Sequence, residues 1–298
     1  MTIYSQITGN KIKTYLIIFF FIIFISFFFF IVGKYTGNSN SYFVVGIIFS
    51  LITSVGSYFY SDKLVLAMSG AKPAGKKEYF DYYTVAENLS IAAGLPMPKL
   101  YVISDPALNA FATGRDPKHA VVAATTGILQ KLDRAELEGV ISHELSHVKN
   151  YDILVSTIVT VLVGTVVFVA DWITRSMFWG GMRDDNDNRG SGLSTLLFIL
   201  TLFIMPIAAT LIQLAVSRKR ELLADASGAL LTRNPDGLAN ALIKISGDRQ
   251  PLKHATNATA HLYISNPFKK GTRTSGFISN LFSTHPPIEE RVKLLREM

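Results

Sequence analysis

Long uncharged apolar stretches constrain this chain more than any other feature of its sequence. Crossing the hydrocarbon core of a bilayer takes about 20 mostly apolar residues in a helix. Four stretches without a charged side chain meet this requirement: 15–32, 42–60, 153–170 and 190–217, the last with its helix at about 193–216. The composition agrees, with 49% hydrophobic and only 17% charged residues. The chain is therefore predicted to be a mainly α membrane protein with four transmembrane helices.

The first stretch also resembles the start of a secretory signal peptide, because Lys11 and Lys13 precede it. However, its apolar run is longer than a typical signal-peptide core, and no cleavage site of the small-x-small kind follows it. We therefore expect this stretch to remain in the protein as a membrane helix.

Basic residues near the ends of the stretches predict the orientation, since Lys and Arg accumulate on the cytosolic side of membrane helices. Two clusters follow the second and fourth stretches: Lys63, Lys72, Lys76 and Lys77, and Arg218, Lys219 and Arg220. Both clusters fall on the same side of the membrane. We expect helix pairs within 1–61 and 153–217, with the polar segments 62–152 and 218–298 and both chain ends in the cytosol.

The polar segments carry signals for a small sheet and several helices. Strands are predicted at 99–103, 109–113 and 120–124, with a turn at 114–118 between the last two. Helices are predicted at 76–93, at 134 to about 150 behind an Asp133–Glu136 capping box, from Pro235 to near Gly247, and from Pro286-Pro287 onward. Residues 250–283 have weak signals and are interpreted as mostly loop. The predicted fold is thus four transmembrane helices plus a cytosolic α+β domain.

The strongest chemical signal is the run His143-Glu144-Leu145-Ser146-His147. On a helix, positions i and i+4 lie on one face, so both imidazoles can reach one metal ion. Glu144 then stands beside the ion, where it can take a proton from a water bound there. The chain has no cysteine, which excludes thiolate ligands and a cysteine nucleophile. The alternative is an ordinary helix surface that happens to carry two histidines.

A catalytic zinc site usually has three protein ligands. The candidate third ligand is Glu221, and Asp225 lies one turn further on the same helical face, where it can accept the free N–H of a ligand histidine. His147 stands six residues before the third apolar stretch and Glu221 four after the fourth. An antiparallel helix pair would therefore bring them together at the inner membrane surface. The alternative is a basic membrane-flanking helix whose acids only offset its Lys and Arg.

These motifs resemble those of the HtpX-type membrane zinc metalloproteases, a bacterial family related to the CAAX prenyl proteases. Four runs carry the resemblance: HELSHVKNYD at 143–152, SRKRELLAD at 217–225, NAFATG at 109–114 and THPP with a following arginine at 284–291. The four-helix layout is similar as well, so the resemblance covers nearly the whole chain. One departure is Leu222, where the family commonly has Tyr, but this is not a ligand position.

The resemblance implies a gluzincin-like protease domain that binds one zinc ion per chain and faces the cytosol at the inner membrane of a bacterial cell. It implies a catalytic role for His285 near the reacting carbonyl, accompanied by Arg291. It also implies that an exposed edge strand pairs with substrate backbone, which assigns substrate binding to Asn109, Ala110, Phe111 and Ala112. Taken alone, His285-Pro286-Pro287 could simply begin a helix.

The expected function is therefore that of a zinc metalloendopeptidase in which a zinc-activated water attacks the scissile carbonyl and Glu144 carries the proton. Polypeptides, in particular membrane proteins, are the expected substrates, and the family implies a role in membrane-protein quality control and stress response. Residues 250–283 are a candidate lid. The other histidines, His119, His254 and His261, are expected to have surface or packing roles.

Several other functions fit part of the sequence. A selective processing protease of the prenyl-peptide kind is the nearest alternative, and the oligomeric state stays open. A non-catalytic membrane chaperone or scaffold could hold a structural zinc, but such a site needs no base like Glu144. A transporter usually has a charged residue within a span, and the four stretches have none. The net charge of +7 could suggest nucleic acid, yet the basic residues lack the aromatic platform of such proteins.

Overall fold

The computed structural model describes residues 3–180, 217–256, 258–268 and 286–298. Within these ranges, three helices are long and apolar enough to cross a membrane: Ile3–Thr36 (α1), Ser39–Met68 (α2) and Asp152–Gly180 (α6). They contain the first three predicted stretches, and α1 and α2 continue past them into the flanking polar residues. The fourth predicted helix, at 193–216, lies outside the described residues, as does His285.

Small residues allow α1 and α2 to pack closely. A Cβ atom added at Gly33 would lie 2.6 Å from the Tyr42 Cβ, and one at Gly46 would lie 2.8 Å from the Phe29 Cβ. The same face of α2 buries a row of serines: Ser50, Ser54, Ser57 and Ser61. Lipid tails are as apolar as the helices, so helices in a membrane associate through such close van der Waals contact.

The first half of α6 is covered by protein. Ile158 and Leu162 are buried in one apolar cluster with Phe21 of α1. On another side, the Thr157 Oγ1 lies 3.0 Å from the Thr113 Oγ1, at the end of a strand of the polar domain. The polar domain therefore docks directly on this membrane helix, one turn and a half from its start.

The sheet has four strands: Ala71–Pro73 (β1), Lys99–Ile103 (β2), Ala110–Thr113 (β3) and Val121–Thr125 (β4). Their order is β1-β2-β4-β3, with β2 and β4 parallel and the two outer pairs antiparallel. The prediction of β2 and of the β3–β4 pair is confirmed. Strand β1 was not predicted, because three residues that include a proline produce no alternating pattern; Pro73 is tolerated there because β1 is an edge strand.

The described residues of the polar part contain six helices: Phe80–Ala93 (α3), Thr126–Lys131 (α4), Arg134–Lys149 (α5), Arg218–Thr232 (α7), Pro235–Gly247 (α8) and Ile288–Arg296 (α9). The predicted start of α3 at residue 76 was wrong, because the amide groups of Glu78 and Tyr79 form a turn onto the Gly75 carbonyl. Its predicted end is confirmed by Gly94, which has the left-handed backbone of a helix cap. Helix α4 was not predicted.

Helix α5 is the central helix of the polar part. The predicted capping box is present, with Asp133 and Glu136 bonded to each other's backbone amides. Val140, Ile141 and Leu145 are fully buried in the main core. The axis of α5 is fixed against α8 by a close approach at Gly139, where an added Cβ would lie 2.6 Å from the Leu238 Cα.

Candidate active site

Three side chains predicted as metal ligands converge at one point. His143 and His147 lie one turn apart on α5, and Glu221 comes from the first turn of α7. The two Nε2 atoms are 3.2 Å apart. The Glu221 carboxylate oxygens lie 3.8 Å from the His143 Nε2 and 3.4 Å from the His147 Nε2. Among the described residues, these three form a group that could hold a metal ion.

These distances fit a single zinc ion. Bonds of about 2.0–2.1 Å at tetrahedral angles place ligand atoms about 3.3 Å apart. The three observed separations lie around that value, and the donor set of two imidazoles and one carboxylate is the kind that zinc takes in catalytic sites. All three side chains are largely buried, so the ligands are held in place by their surroundings.

His143 is oriented by a buried ion pair. Its Nδ1 lies 2.8 Å from an Asp225 carboxylate oxygen, while Arg291 holds the same carboxylate with two hydrogen bonds of 2.6 and 2.7 Å. Burial alone would raise the pKa of Asp225, but the Arg291 guanidinium outweighs it and lowers that pKa to about 2. A permanently ionised Asp225 keeps a proton on the Nδ1 of His143, which leaves its Nε2 free to bind a metal.

His147 is oriented by a second carboxylate, which the sequence reasoning missed. Its Nδ1 lies 3.0 Å from an Asp152 oxygen at the start of α6. Burial opposes the charged form of His147, but the carboxylates of Glu221 and Asp152 outweigh it and raise the pKa of His147 to about 9. Burial lowers the pKa of His143. The available signal was an acid five residues after His147 in the run that carries the family resemblance.

Glu144 lies beside the cluster and is only 2% exposed. Burial is the main cause that raises the pKa of Glu144 to about 7; the neighbouring Glu221 carboxylate adds to it, against the opposing charge of His147. Its carboxyl group hydrogen-bonds with the backbone of Ala112 in β3. The cavity in front of it is also lined by the three candidate metal ligands, Ser156 and His261.

The four residues predicted to bind substrate occupy different places. Ala112 lines the cavity, whereas Phe111 is fully buried and packs edge-on against Tyr263. The Asn109 side-chain amide donates to the Ser265 carbonyl at 2.9 Å, and the Ala110 carbonyl accepts from the Ile264 amide at 3.0 Å. The outer edge of β3 is thus covered at Ala110, and Ala112 is the member of this group that faces the cavity.

The part of the predicted loop at 250–283 that the structure describes is a packed segment. Leu252, Tyr263 and Ile264 are buried, and the segment includes a short 3₁₀ helix at Ala260–Leu262. The Arg291 guanidinium also donates to the Ile264 carbonyl at 3.2 Å. Apolar side chains anchor this segment without a helical or strand period, which is why its sequence pattern indicates a loop. Residues 269–285 lie outside the described ranges.

The three remaining histidines have different environments. His119 is exposed and pairs with Asp116 at 2.8 Å, and the ring of His254 lies against Gly70. His261 is buried at the side of the cavity, where its Nε2 lies 3.2 Å from the Ser156 carbonyl of α6. His261 therefore packs against the membrane helix rather than joining the three candidate ligands.

Known proteins are similar to this chain in sequence. The sequence profile of Peptidase family M48 matches residues 81–298. A protease HtpX homolog of Tropheryma whipplei (strain Twist) is 49% identical, covering 99% of this chain and 98% of the relative. A protease HtpX homolog of Dictyoglomus thermophilum is 45% identical, covering 100% of this chain and 95% of the relative.

A solved structure also resembles the chain. The crystal structure of S. mikatae Ste24p matches with a TM-score of 0.45 and 16% sequence identity, over 98% of this chain and 67% of that one. The family rests on the sequence relationships, which run over the full length of the chain. The chain therefore belongs to peptidase family M48, among its HtpX-type membrane proteases.

Proposed function

We propose that the chain is a zinc metalloendopeptidase that hydrolyses peptide bonds of polypeptides reaching it at the cytosolic face of the membrane. The observation that carries the proposal is the position of Glu144, buried next to three candidate zinc ligands and open to the same cavity. A structural zinc site requires only ligands. A carboxyl group beside the ligands with a pKa near neutral pH indicates instead a site that catalyses hydrolysis.

The proposed site holds one zinc ion per chain on His143, His147 and Glu221. When bound, zinc supplies Lewis-acid chemistry, which lowers the pKa of water and stabilises negative charge on a carbonyl oxygen. Asp225 and Asp152 orient the two imidazoles, and Arg291 keeps Asp225 ionised. The histidine ligands are thus held before the metal arrives, as a catalytic site requires.

Glu144 is the proposed general base and acid. With a pKa near 7 it is partly ionised at neutral pH, so it can accept a proton from the attacking water. It can then deliver the same proton to the leaving amine nitrogen, after which the carboxylate is restored. His285 is proposed to stabilise the developing oxyanion together with the metal site.

Substrate backbone is proposed to align along β3 at Ala112, next to Glu144. Main-chain pairing to a strand edge recognises an extended peptide without regard to its side chains, which suits an endopeptidase of broad substrate range. The direct docking of the polar part on α6 supports substrates presented at the membrane surface, and we propose membrane or misfolded proteins as the substrate class. Such a substrate range suits membrane-protein quality control.

The test is proteolysis of an unfolded model protein by the detergent-purified chain after chelation and after zinc is restored, with Glu144→Gln in parallel. The variant keeps the size of the side chain but cannot carry the proton, so it should bind zinc normally and lose at least about 100-fold in turnover. Full turnover in the variant would contradict the proposed role of Glu144. Zinc bound without cleavage of any polypeptide would favour a scaffold.

A further inference from the structure

Helix α1 reaches the candidate metal centre at Asn10. This asparagine is 140 residues away in sequence from Asn150, which follows α5, and is only 5% exposed. Its Nδ2 donates to the Asn150 carbonyl at 2.9 Å and to an Asp152 carboxylate oxygen at 2.8 Å. The amide therefore holds both ends of the short turn that joins α5 to α6.

Arg220 closes the same network from the other side. Its Nη1 donates to the Asp152 oxygen at 3.0 Å and to the Asn10 Oδ1 at 3.3 Å. The second Asp152 oxygen bonds the Nδ1 of His147, and Arg220 directly precedes Glu221 in the chain. Two of the three candidate ligands are thus tied to the network, one through a hydrogen bond and the other through the backbone.

The turn held by Asn10 is strained. Tyr151, between Asn150 and Asp152, has a positive φ of 60°, a left-handed conformation that is unfavourable for a residue with a Cβ. The neighbouring Lys11 ammonium lies 4.6 Å from the centre of the Tyr151 ring. Asn10 and Lys11 of α1 therefore contact all three residues of this connection.

We propose that Asn10 is a positioning residue of the metal centre: it holds the Asp152 carboxylate so that His147 presents its Nε2 to zinc. This inference rests on the proposed zinc site. Helix α1 would then supply a residue that positions a zinc ligand, in addition to crossing the membrane. The residue type fits, because one amide can donate to Asp152 while it accepts from Arg220, which neither an aspartate nor an aliphatic side chain does.

The test measures zinc affinity of the full-length chain in detergent, by competition with a chromophoric chelator, for wild type and Asn10→Leu. Loss of a residue that orients a ligand weakens metal binding by roughly 10- to 100-fold, and we expect a loss in that range. Thr14→Val is the matched control, because Thr14 is buried one turn further on the same face and its hydroxyl donates within α1, to the Asn10 carbonyl. It should keep wild-type affinity.

A double-variant cycle separates positioning from simple packing. If Asn10 acts through Asp152, then Asn10→Leu together with Asp152→Asn should lose no more zinc affinity than Asp152→Asn alone. A packing defect would add to that loss instead. Asn10→Asp is a second variant of nearly the same size, which keeps the acceptor for Arg220 but sets a like charge against Asp152. It fills the same space as asparagine, so it removes the donor bonds without a change of shape and should lose affinity to a similar degree.

Wild-type affinity in Asn10→Leu or Asn10→Asp, or additive losses in the cycle, would overturn the inference and leave the zinc site intact. A wild-type chain that binds no zinc would overturn the proposed function, and the inference with it. The two failures are therefore distinguished by the wild-type measurement.

Discussion

At the scale of single residues, the centre depends on how its two imidazoles are held. Asp225 from α7 bonds the Nδ1 of His143, and Asp152 from α6 bonds the Nδ1 of His147. Each Nδ1 therefore carries a hydrogen. Both Nε2 atoms can then bind a metal ion together with Glu221. The His-Glu-x-x-His spacing was enough to predict that both imidazoles reach one point, because a helix places i and i+4 on one face. Helical spacing does not indicate Asp152 as the partner of His147, because Asp152 lies beyond the turn that ends α5; only its place in the run that carries the family resemblance indicates it.

The pKa of His147 leads to a prediction about zinc affinity and pH. In the metal-free protein that pKa is raised to about 9, so His147 carries a proton at neutral pH that zinc must displace. Affinity should therefore rise about tenfold per pH unit up to about pH 9 and then level off. Competition with a chelator across this pH range measures the zinc affinity, with Asp152→Asn as the comparison. Removal of that carboxylate should move the plateau to lower pH, and a flat profile in wild type would contradict the assignment.

At the scale of elements, signals of the helix ends were the most informative. The capping box at Asp133 and the left-handed Gly94 both lie where the sequence indicates a helix boundary, because each satisfies backbone groups through local contacts. Predictions failed where the decisive contacts are distant. Strand β1 exists only because it pairs with β2, and the segment at 258–268 is ordered by β3 and Arg291.

The contact between α5 and α8 gives a prediction at this scale. Gly139 lies one turn before His143, and Gly139→Ala would push a methyl group against the backbone of Leu238. Overpacking of this kind costs about 1–3 kcal/mol, so the free energy of unfolding should fall by that amount and zinc binding should weaken as α5 shifts. Chemical denaturation of the purified chain measures the first effect.

The matched control is Gly164→Ala in α6. A Cβ there would meet no heavy atom within 4 Å among the described residues. Alanine is favoured over glycine inside a helix by about 0.5–1 kcal/mol, so this variant should be as stable as wild type or more so. Equal stability of the two alanine variants would show that α5 and α8 do not approach as closely as the structure indicates.

At the scale of the whole molecule, the membrane helices and the polar part form one connected structure. Hydropathy was sufficient to predict α1, α2 and α6, because about 20 apolar residues have few alternatives to a membrane span. It could not predict that α6 is covered by protein on several sides, or that α1 reaches the centre. The contact of Asn10 with Asp152 joins residues 142 positions apart, and a single sequence carries no signal for such a contact.

The proposed orientation can be tested in cells, since the chain has no cysteine of its own. A single cysteine at Lys77, exposed after α2, should resist a membrane-impermeant maleimide in intact cells and react after lysis. One at Asn40, exposed at the start of α2, should react once the outer membrane or cell wall admits the reagent. The opposite labelling pattern would place the candidate centre outside the cytosol.

The most direct test of the central claim is a zinc titration of the metal-free wild-type chain, followed by the rate of cleavage of an unfolded protein. We expect no cleavage without metal, a linear rise in the rate as zinc is added, and a break at one equivalent per chain, where the proposed site of His143, His147 and Glu221 is filled. Cleavage by the metal-free chain, or an inactive chain at one equivalent of bound zinc, would contradict the central claim.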